Sequence, residues 1–222
     1  MINQNIKTTP WDKKIFGFDT FEVLDYTEET LSQTKAAGHY TLKLDPLHDK
    51  ALAEKYGFYY CDTLLVPECT PEHLKEFHMD QLTFDLNADI QQLLNICDGA
   101  FSHGRFHRDF NLDKKNADDR YNQWLTDIHK KGHVFALKFD AQLAGFIAVH
   151  GNELQLHAIA KDFRGKGYAK YWWSEVCKYL FLNGHYVITS SVSASNLAVL
   201  NLYASLGFKF TKAVDVYHKL AN

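Results

Sequence analysis

A glycine-punctuated turn near residue 165 joins a strand-like run to a helix-like run. Apolar residues alternate from Leu154 to Ala158, and an aromatic-rich helical pattern begins at Tyr171. The segment between them reads Ile159-Ala160-Lys161-Asp162-Phe163-Arg164-Gly165-Lys166-Gly167-Tyr168-Ala169. Glycines let a backbone come close to a ligand, and the unpaired N–H groups of a first helical turn attract anions. The sequence therefore predicts a strand–turn–helix unit that binds a phosphate-bearing cofactor.

Two nucleotide-binding motifs with similar glycines do not fit this turn. A dinucleotide fingerprint needs a third glycine where Lys170 stands, and a P-loop needs a Lys-Ser or Lys-Thr pair after its second glycine. The pattern that remains is Arg-x-x-Gly-x-Ala, formed by Arg164, Gly167 and Ala169. It resembles the pyrophosphate loop of the GNAT acetyltransferases, which hold acetyl-coenzyme A. A glycine turn before a helix is also ordinary structure, so this motif needs a second one beside it.

The segment from Asn196 to Phe208 supplies the second motif. It resembles the last helix of the same family, with its Asn, Ala, Tyr and Gly-Phe signature. Ser195 or Asn196 can cap the helix start, and Gly207 suits a left-handed stop. Tyr203 also fits a plain core aromatic on an amphipathic helix. Together the two motifs imply a GNAT fold, an α+β domain whose central mixed, mostly antiparallel sheet is flanked by helices.

The order of patterned segments agrees with that topology over residues 82–222. Strands are predicted at Leu82 to Leu86, Val134 to Phe139, Leu143 to Val149, Glu153 to Ile159, Tyr186 to Val192 and Lys209 to Leu220. Helices are predicted at Ile90 to Phe101, around Ala117 to Lys131, after the glycine turn and across Tyr203. We expect a parallel strand pair at the point where the cofactor enters.

Charge and length exclude several classes of protein. The chain has 222 residues, 46% of them hydrophobic, which is enough for one large domain or two small ones. A net charge of -3 without a basic run argues against nucleic acid as a partner. No stretch approaches the roughly 20 apolar residues of a membrane span, and the start lacks a signal-peptide pattern. The sequence therefore predicts a cytoplasmic protein without a membrane partner, and it leaves a homodimer open.

The first eighty residues echo the end of the chain. Leu52 to Thr63 predicts a helix, a stop at Gly57 and a strand, much like the stretch from Leu202 to Phe210. We interpret residues 1–76 as a truncated GNAT-like domain on the acceptor side and residues 77–222 as the GNAT domain, although coincidence remains an alternative. Pro67-Glu68-Cys69-Thr70-Pro71 is predicted to be the linker.

Short motifs in both parts narrow the resemblance. Thr9 to Phe18 resembles the Trp-acid-x-x-Phe-Phe-Gly opening of the two-domain dTDP-fucosamine acetyltransferase branch, which acetylates the amine of a nucleotide-linked 4-amino-4,6-dideoxy sugar. Ala100 to Phe106 and Arg120 to Trp124 resemble two further stretches of that branch. An extra His-Gly before Arg105 and a different segment over 107–116 leave the sugar and the nucleotide open. The implied substrate residues are Trp11, Asp12, Phe16, Arg105 and Phe106.

The family resemblance also implies the donor site. The pyrophosphate would bind backbone N–H groups of the glycine loop, and the strand edge at Ile159 would pair with the pantetheine arm. Asn196 would contact the pantetheine or acetyl group. The implied cofactor-binding residues are Ile159, Arg164, Gly165, Lys166, Gly167, Tyr168, Ala169 and Asn196.

Acetyl transfer by direct attack of an amine needs an acid and a base. Tyr203 is the candidate acid, because a phenol with a pKa of about 10 keeps its proton until a thiolate forms. Asp62 is the candidate base, because it lies on the strand after Gly57, where the resembling branch also has an acidic residue. Glu153 and His157 are the alternatives.

A metal is not expected, and the acceptor stays open. His103 and His107 are four residues apart, but a glycine separates them and no third ligand is near. The acceptor is expected to be a small-molecule amine, with the nucleotide sugar first. Two other functions fit the same motifs: acetylation of another amine such as a protein N-terminus, polyamine or antibiotic, and a non-catalytic acyl-CoA-binding module.

Overall fold

The computed structural model describes residues 4–222, which form a mixed sheet with helices on both faces. The strands are β1 (Ile6–Thr8), β2 (Thr20–Val23), β3 (Gly38–Leu44), β4 (Tyr59–Cys69), β5 (Leu82–Asp85), β6 (Val134–Phe139), β7 (Gln142–His150), β8 (Glu153–Ile159), β9 (Ile188–Ser190), β10 (Val192–Ser193) and β11 (Lys209–Ala221). The helices are α1 (Pro10–Phe16), α2 (Glu28–Ser32), α3 (Ala51–Lys55), α4 (Ile90–Cys97), α5 (Arg105–Arg108), α6 (Lys114–His129), α7 (Ala169–Leu182) and α8 (Leu197–Ser205).

One sheet runs through the whole described chain. Its strand order is β1-β2-β3-β11-β4-β9-β8-β7-β6-β5, with β10 paired to β4 beside this path. The pairs β2–β3 and β8–β9 are parallel, and the other pairs are antiparallel. The predicted α+β class, with a mixed and mostly antiparallel sheet flanked by helices, is confirmed. None of the helices described in residues 4–222 is long and apolar enough to span a bilayer.

Separate apolar clusters cover the two faces of the C-terminal strands. On one face, α7 and α8 bury Trp172, Trp173 and Tyr203 against the sheet. On the other face, α4, α5 and α6 pack with α1 around Leu93 and Leu125. The sheet is therefore held from both sides, and a site that opens between its strands has rigid walls.

Most predicted elements after residue 82 form close to their predicted bounds. The strand Glu153–Ile159 and the first hairpin strand Val134–Phe139 match the prediction. The predicted strand from Tyr186 to Val192 is confirmed in part: β9 spans Ile188–Ser190, the strand is interrupted at Ser191, and β10 resumes the pairing with β4 at Val192. The helix predicted from Ile90 to Phe101 is α4, which is shorter than predicted. It ends at Cys97, and the chain then turns through a left-handed Gly99.

The predicted linker over 67–71 is also wrong. Pro67, Glu68 and Cys69 are the last residues of β4, paired with both β11 and β9. Pro67 lies opposite Phe210, next to a register shift in β11, and a proline is tolerated in a strand where the ladder is irregular. The tertiary pairing therefore overrides the turn preference of Pro67, whereas Pro71 lies in a turn after the strand.

The two chain segments that echo each other have the same local form. In the first, α3 is followed by a left-handed Gly57, Phe58 and the long strand β4. In the second, α8 is followed by a left-handed Gly207, Phe208 and the long strand β11. The strands β4 and β11 pair with each other along most of their lengths. The division into domains 1–76 and 77–222 stays a prediction.

A buried polar cluster fixes the loop that follows α5. The Asp109 carboxylate bonds to His39 Nε2 at 2.9 Å and His218 Nδ1 at 2.7 Å, and it accepts a bond from the Tyr59 hydroxyl at 3.0 Å. Burial opposes the charge on this carboxyl group, but the bonds from the two histidines hold its pKa well below the ordinary value. Since the partners lie on β3, β4 and β11, the cluster ties α5 to the middle of the sheet.

Candidate active site

The strands β8 and β9 part near the middle of the sheet. They are paired only at Glu153 with Thr189 and at Leu154 with Ser190, while β8 continues to Ile159 against β7. This leaves a gap beside the second half of β8, and residues of β8 and of the segment Ser191 to Ser193 line a cavity there. Such an opening lets an extended ligand pair with a free strand edge.

A bulge at Gln155 changes the faces of β8. Ala148 pairs with Leu156 and Val149 pairs with Leu154, so one extra residue lies on β8 between those pairs. As a result Leu154 packs in the α7–α8 cluster, whereas Leu156 and Ala158 pack with the helices of the opposite face. The bulge directs His157 toward α7 and α8.

The glycine loop forms an exposed turn ahead of α7. Gly165 and Gly167 have φ angles of +74° and +75°, and each faces open space where a side chain would stand. Arg164 donates from Nε to the Ile159 carbonyl at 2.6 Å, which ties the loop to the end of β8. The first turn of α7, starting at Ala169, offers N–H groups that a helix leaves unpaired. This open cradle fits a pyrophosphate.

Asn196 caps the helix that carries Tyr203. Its side-chain oxygen accepts from the Val199 N–H at 3.3 Å, so of the two predicted caps Asn196 is the one observed. The same residue lines the cavity at the gap. Asn196 is therefore held rigidly at the end of β10, on the β9 side of the opening.

Tyr203 is fully buried and bonded to a histidine. Its hydroxyl lies 3.1 Å from His157 Nε2, and the His157 ring also meets Trp173 edge-on. Burial lowers the pKa of His157 to about 4, so this imidazole is neutral near pH 7. Burial raises the pKa of the Tyr203 phenol, which keeps it protonated. His157 lines the cavity, whereas Tyr203 is not among the residues that line it and lies behind His157.

The cavity at the gap has a volume of about 300 Å³ and a carboxylate in its wall. Asp62 is fully buried on β4, where its Oδ1 accepts bonds from Arg108 Nη1 at 2.7 Å, Ser193 Oγ at 2.8 Å and the Thr63 N–H at 2.9 Å. Its Oδ2 is buried without a hydrogen-bond partner among residues 4–222. One oxygen is thus anchored, and the other is left for a ligand.

Burial is the main influence on the pKa of Asp62. It raises this pKa above the ordinary value, although the bonds from Ser193, Arg108 and Thr63 work in the opposite direction. A carboxylate with a raised pKa is a better proton acceptor. Glu153, an alternative base, also lines the cavity, and it accepts a bond from Gln155 at 3.2 Å.

The five predicted substrate residues are divided between two neighbouring cavities and the core. Arg105 and Phe106 line the first cavity, and Trp11 and Asp12 line a second one of about 280 Å³. Phe16 lies in the core, where its ring meets Phe106 at a centroid distance of 5.5 Å. Phe16 lines neither of these two cavities, and a substrate contact for it stays a prediction.

Sequence reasoning missed two side chains that line both cavities. Arg120 donates from Nε to Asp12 at 3.0 Å, and its guanidinium carbon lies 4.5 Å from the centre of the Trp124 ring. Arg120 and Trp124 are four residues apart on α6, so they share one helix face. The sequence shows that Arg120 and Trp124 are spaced to share one face of a helix. It does not show that α1 lies beside this face.

The histidines at 103 and 107 do not form a ligand pair. His103 is exposed at the cavity, while His107 Nε2 bonds to Asp118 at 2.9 Å. Within residues 4–222, the one group of three metal-ligand side chains is His39, Asp109 and His218. Both oxygens of Asp109 already accept hydrogen bonds there, from the Asn111 N–H and Tyr59 as well as the histidines. The absence of a metal stays a prediction.

A family model and one curated relative match parts of the chain. The model described as the acetyltransferase (GNAT) family matches residues 90–208. Over 82 residues the chain is 32% identical to the N-acetylaspartate synthetase of Xenopus tropicalis. This match covers 34% of the chain and 30% of the relative, so the chain corresponds to less than a third of that protein.

Solved structures share the fold at low sequence identity. A GCN5-related N-acetyltransferase from Sphaerobacter thermophilus superimposes with a TM-score of 0.66 at 13% identity, covering 97% of this chain and 76% of the other. A tandem GNAT protein from the clavulanic acid biosynthesis pathway gives a TM-score of 0.55 at 10% identity, covering 91% and 75%. The likeness therefore extends over both parts of the chain.

Proposed function

The chain belongs to the GNAT family of acetyl-CoA-dependent N-acetyltransferases, and we propose that it transfers an acetyl group to a primary amine held in the cavity at the gap. The observation that carries the proposal is the gap itself. It opens beside β8, with the glycine loop at one end and a buried carboxylate with a free oxygen in the cavity wall. A thioester entering from the loop would meet an amine entering from the cavity.

Acetyl-CoA supplies an activated acetyl group, and the glycine loop is the proposed site for its pyrophosphate. Gly165, Lys166, Gly167, Tyr168 and Ala169 form an exposed turn at the start of α7, which favours an anion. Beyond the bulge, the free edge of β8 up to Ile159 suits the amide groups of the pantetheine arm. Asn196 borders the same opening.

Tyr203 is the proposed general acid. Its pKa is raised by burial, so the phenol holds its proton until a stronger base, the leaving thiolate, is formed. His157 Nε2 lies 3.1 Å from that phenol oxygen, and this hydrogen bond fixes the orientation of the phenol.

Asp62 is the proposed general base. Its free Oδ2 and its raised pKa suit a group that takes a proton from an incoming ammonium. The three bonds to Oδ1 hold the carboxylate in place, which keeps the free oxygen fixed in the cavity wall. Glu153, on β8, remains the alternative base.

The proposed acceptor is a nucleotide-linked 4-amino-4,6-dideoxy sugar. The support is chemical: the cavity wall contains Arg105, an arginine without an ion-pair partner among residues 4–222, and a diphosphate needs such a group. A second candidate is an acidic amino acid. The match to the Xenopus tropicalis N-acetylaspartate synthetase favours it, and its carboxylates would use the same arginine.

The tandem organisation of the chain is part of the proposal. Residues 1–76 are proposed to be a truncated relative of the unit formed by residues 77–222. The repeated order of helix, left-handed glycine, Phe and long strand supports it, as does the fold likeness to a tandem GNAT protein. In this scheme the first unit contributes Asp62 and the wall of the acceptor cavity.

Thiol release from acetyl-CoA, measured against an amine panel, tests the function. The panel contains dTDP- and UDP-linked 4-amino sugars, aspartate, glutamate, spermidine, an aminoglycoside and a peptide with a free N-terminus. We expect release with the amino-sugar nucleotides, and product mass should rise by one acetyl group. Release with aspartate alone would select the second candidate. Acetyl-CoA binding without release for any amine would indicate an acyl-CoA-binding module instead.

A further inference from the structure

The end of the short helix α5 connects the proposed base to a second buried carboxylate. Arg108, the last residue of α5, donates from Nη1 to Asp62 Oδ1 at 2.7 Å. This is the one ion pair that Arg108 forms among residues 4–222. The next residue in the chain is Asp109, which is fully buried. Two consecutive residues therefore contact the proposed base and the buried cluster around Asp109.

Asp109 anchors this segment to three strands of the sheet. Its carboxylate bonds to His39 on β3 at 2.9 Å and to His218 on β11 at 2.7 Å, and it accepts a bond from the Tyr59 hydroxyl on β4 at 3.0 Å. It also accepts a bond from the Asn111 N–H in its own loop at 2.8 Å. Displacement of this carboxylate would leave its buried partners without a hydrogen bond, which destabilises the fold.

The helix α5 cannot hold Arg108 in place by itself. It has four residues, and isolated helices shorter than about 12 residues are marginal in water. Its N-cap position is Gly104, which has no side chain to cap the first turn. Phe106 packs in the core and holds the middle of α5. The buried contact that holds the end of α5 beside β4 is the cluster around Asp109.

A bulge on β4 brings both contacts to one stretch of strand. Cys61 is an extra residue on β4 between two successive pairs with β11. Cys61 and Asp62 are both buried as a result, although the side chains of a regular strand alternate between its faces. Tyr59, which bonds to Asp109, precedes Asp62 by three residues. This stretch of β4 therefore contacts Arg108 and Asp109 together.

Arg108 acts on the proton affinity of Asp62. Burial raises the pKa of Asp62, while the charge and the hydrogen bond of Arg108 work in the opposite direction. The other bonds to Asp62 Oδ1 come from uncharged groups, the Ser193 hydroxyl on β10 and the Thr63 N–H. Further titratable side chains line the same cavity, from β3, α6, β8 and the segment around α5: Lys43, His103, Arg105, Arg120, Tyr121, Glu153 and His157. Since Arg108 is the one cation bonded to Asp62 among residues 4–222, its displacement would raise the pKa of Asp62.

We infer that Asp109 is a positioning residue for the proposed base: by anchoring the end of α5 it holds Arg108 on Asp62 Oδ1, which keeps Asp62 Oδ2 for the amine. The inference rests on the proposed function for the role of Asp62. Asp109 lines neither cavity, so it acts through Arg108 rather than on a substrate. The two histidines bonded to Asp109 belong to the same anchor.

The sign of a change in the pKa of Asp62 distinguishes positioning from a direct effect of charge. Asp109→Asn removes a negative charge, which by itself would lower the pKa of Asp62. Displacement of Arg108 would raise that pKa instead. Carbon-13 NMR of the carboxyl groups measures it on the full chain without substrate, and Asp62→Asn assigns the signal. We expect the acid dissociation constant of Asp62 to fall about tenfold or more in both Asp109→Asn and Arg108→Gln.

A double variant and a control isolate the route through Arg108. Asp109→Asn combined with Arg108→Gln should raise the pKa of Asp62 no further than Arg108→Gln alone. Thr34→Ala, which removes another fully buried hydrogen bond, is the control and should leave that pKa unchanged. An unchanged or lowered pKa in Asp109→Asn, or additive effects in the double variant, overturns the inference. If Asp109→Asn does not fold by circular dichroism, Tyr59→Phe decides: a raised pKa supports the inference and an unchanged one overturns it.

Kinetics separate this inference from the proposed function. With the acceptor found in the panel, the acidic limb of kcat/KM should move to higher pH in Asp109→Asn, and the KM for acetyl-CoA should stay unchanged. A limb that persists in Asp62→Asn would exclude Asp62 as the base. The NMR titration would then still show whether Asp109 holds Arg108 on Asp62, because it needs no turnover.

Discussion

At the scale of single residues, the site depends on the protonation states of Tyr203, Asp62 and His157. Tyr203 and Asp62 are both fully buried, yet burial acts on them with different chemical results. It keeps the phenol of Tyr203 protonated, and it makes the carboxylate of Asp62 a stronger base. The neutral His157 beside Tyr203 adds a hydrogen-bond partner without adding charge. These environments give the acid and base roles a physical basis.

Tyr203→Phe removes the proposed proton donor and little else. We expect kcat to fall by about 10²–10⁴-fold, the usual worth of general acid help, with an unchanged KM for acetyl-CoA. Steady-state kinetics with the acceptor found in the panel measures this. Tyr179→Phe, which removes a hydroxyl from a half-buried tyrosine on α7, is the control and should keep wild-type turnover. Wild-type turnover in Tyr203→Phe would exclude the acid role.

Asp62→Asn tests the base through the pH dependence of kcat/KM. A carboxylate accepts a proton only above its pKa, so the wild-type value should fall as the pH drops through a pKa that burial has raised. The variant should be slow and lack that acidic limb. Glu153→Gln is the comparison, because Glu153 lines the same cavity. If the limb persists in Asp62→Asn and disappears in Glu153→Gln, Glu153 is the base.

At the scale of elements, two local irregularities shape the proposed donor site. The bulge at Gln155 turns His157 toward Tyr203, and the parting of β8 from β9 frees the strand edge beside it. A regular strand with period-2 alternation would put Leu154, Leu156 and Ala158 on one face and His157 on the other. In the structure His157 instead shares the face of Leu154. Irregular pairing therefore places the proposed acid and the proposed cofactor loop at the two ends of the same strand segment.

Gly167→Ala tests the glycine loop as an element. At a φ of +75° an alanine is strained by about 1–2 kcal/mol, so the turn should shift away from the shape that fits a pyrophosphate. We expect the KM for acetyl-CoA to rise at least about tenfold, equivalent to about 1.4 kcal/mol of binding. Gly184→Ala, at +93° after α7, has similar strain far from the loop and should leave that KM unchanged. Equal effects in both variants would point to a general loss of stability.

At the scale of the whole molecule, the sheet makes the two sequence halves interdependent. The strand β4 lies between β11 and β9, and β3 covers the other edge of β11. The buried cluster around Asp109 joins β3, β4 and β11 to the loop after α5. The acceptor cavity accordingly takes its walls from both halves, with Asp62 on β4 and Arg105 on α5.

A fragment of residues 77–222 should not fold on its own. Without β4, the fragment would expose the edges of β11 and β9 that β4 covers in the full chain. We expect the full chain to unfold in one cooperative urea transition, and the fragment to show none by circular dichroism. A fragment that unfolds cooperatively and binds acetyl-CoA would show that the first half is dispensable for the fold.

Local patterns in the sequence determined the elements that bear on the donor. The strand Glu153–Ile159, the glycine loop, the helix of Tyr203 and its cap at Asn196 follow from side-chain periodicity, glycine conformation and capping, all of which act between near neighbours. The sequence also singled out Asp62, through the helix, glycine and strand order before it. The local sequence of such a segment is enough to specify its secondary structure.

Tertiary structure alone decided how those elements meet. The insertion of β4 into the C-terminal strands, the bulge at Gln155 and the ion pair of Arg120 with Asp12 all depend on contacts between residues far apart in the chain. Period-2 and period-3.6 patterns carry no information on which strand becomes a neighbour or which carboxylate reaches an arginine. The donor could thus be inferred from sequence, whereas the acceptor walls come from long-range packing of both halves.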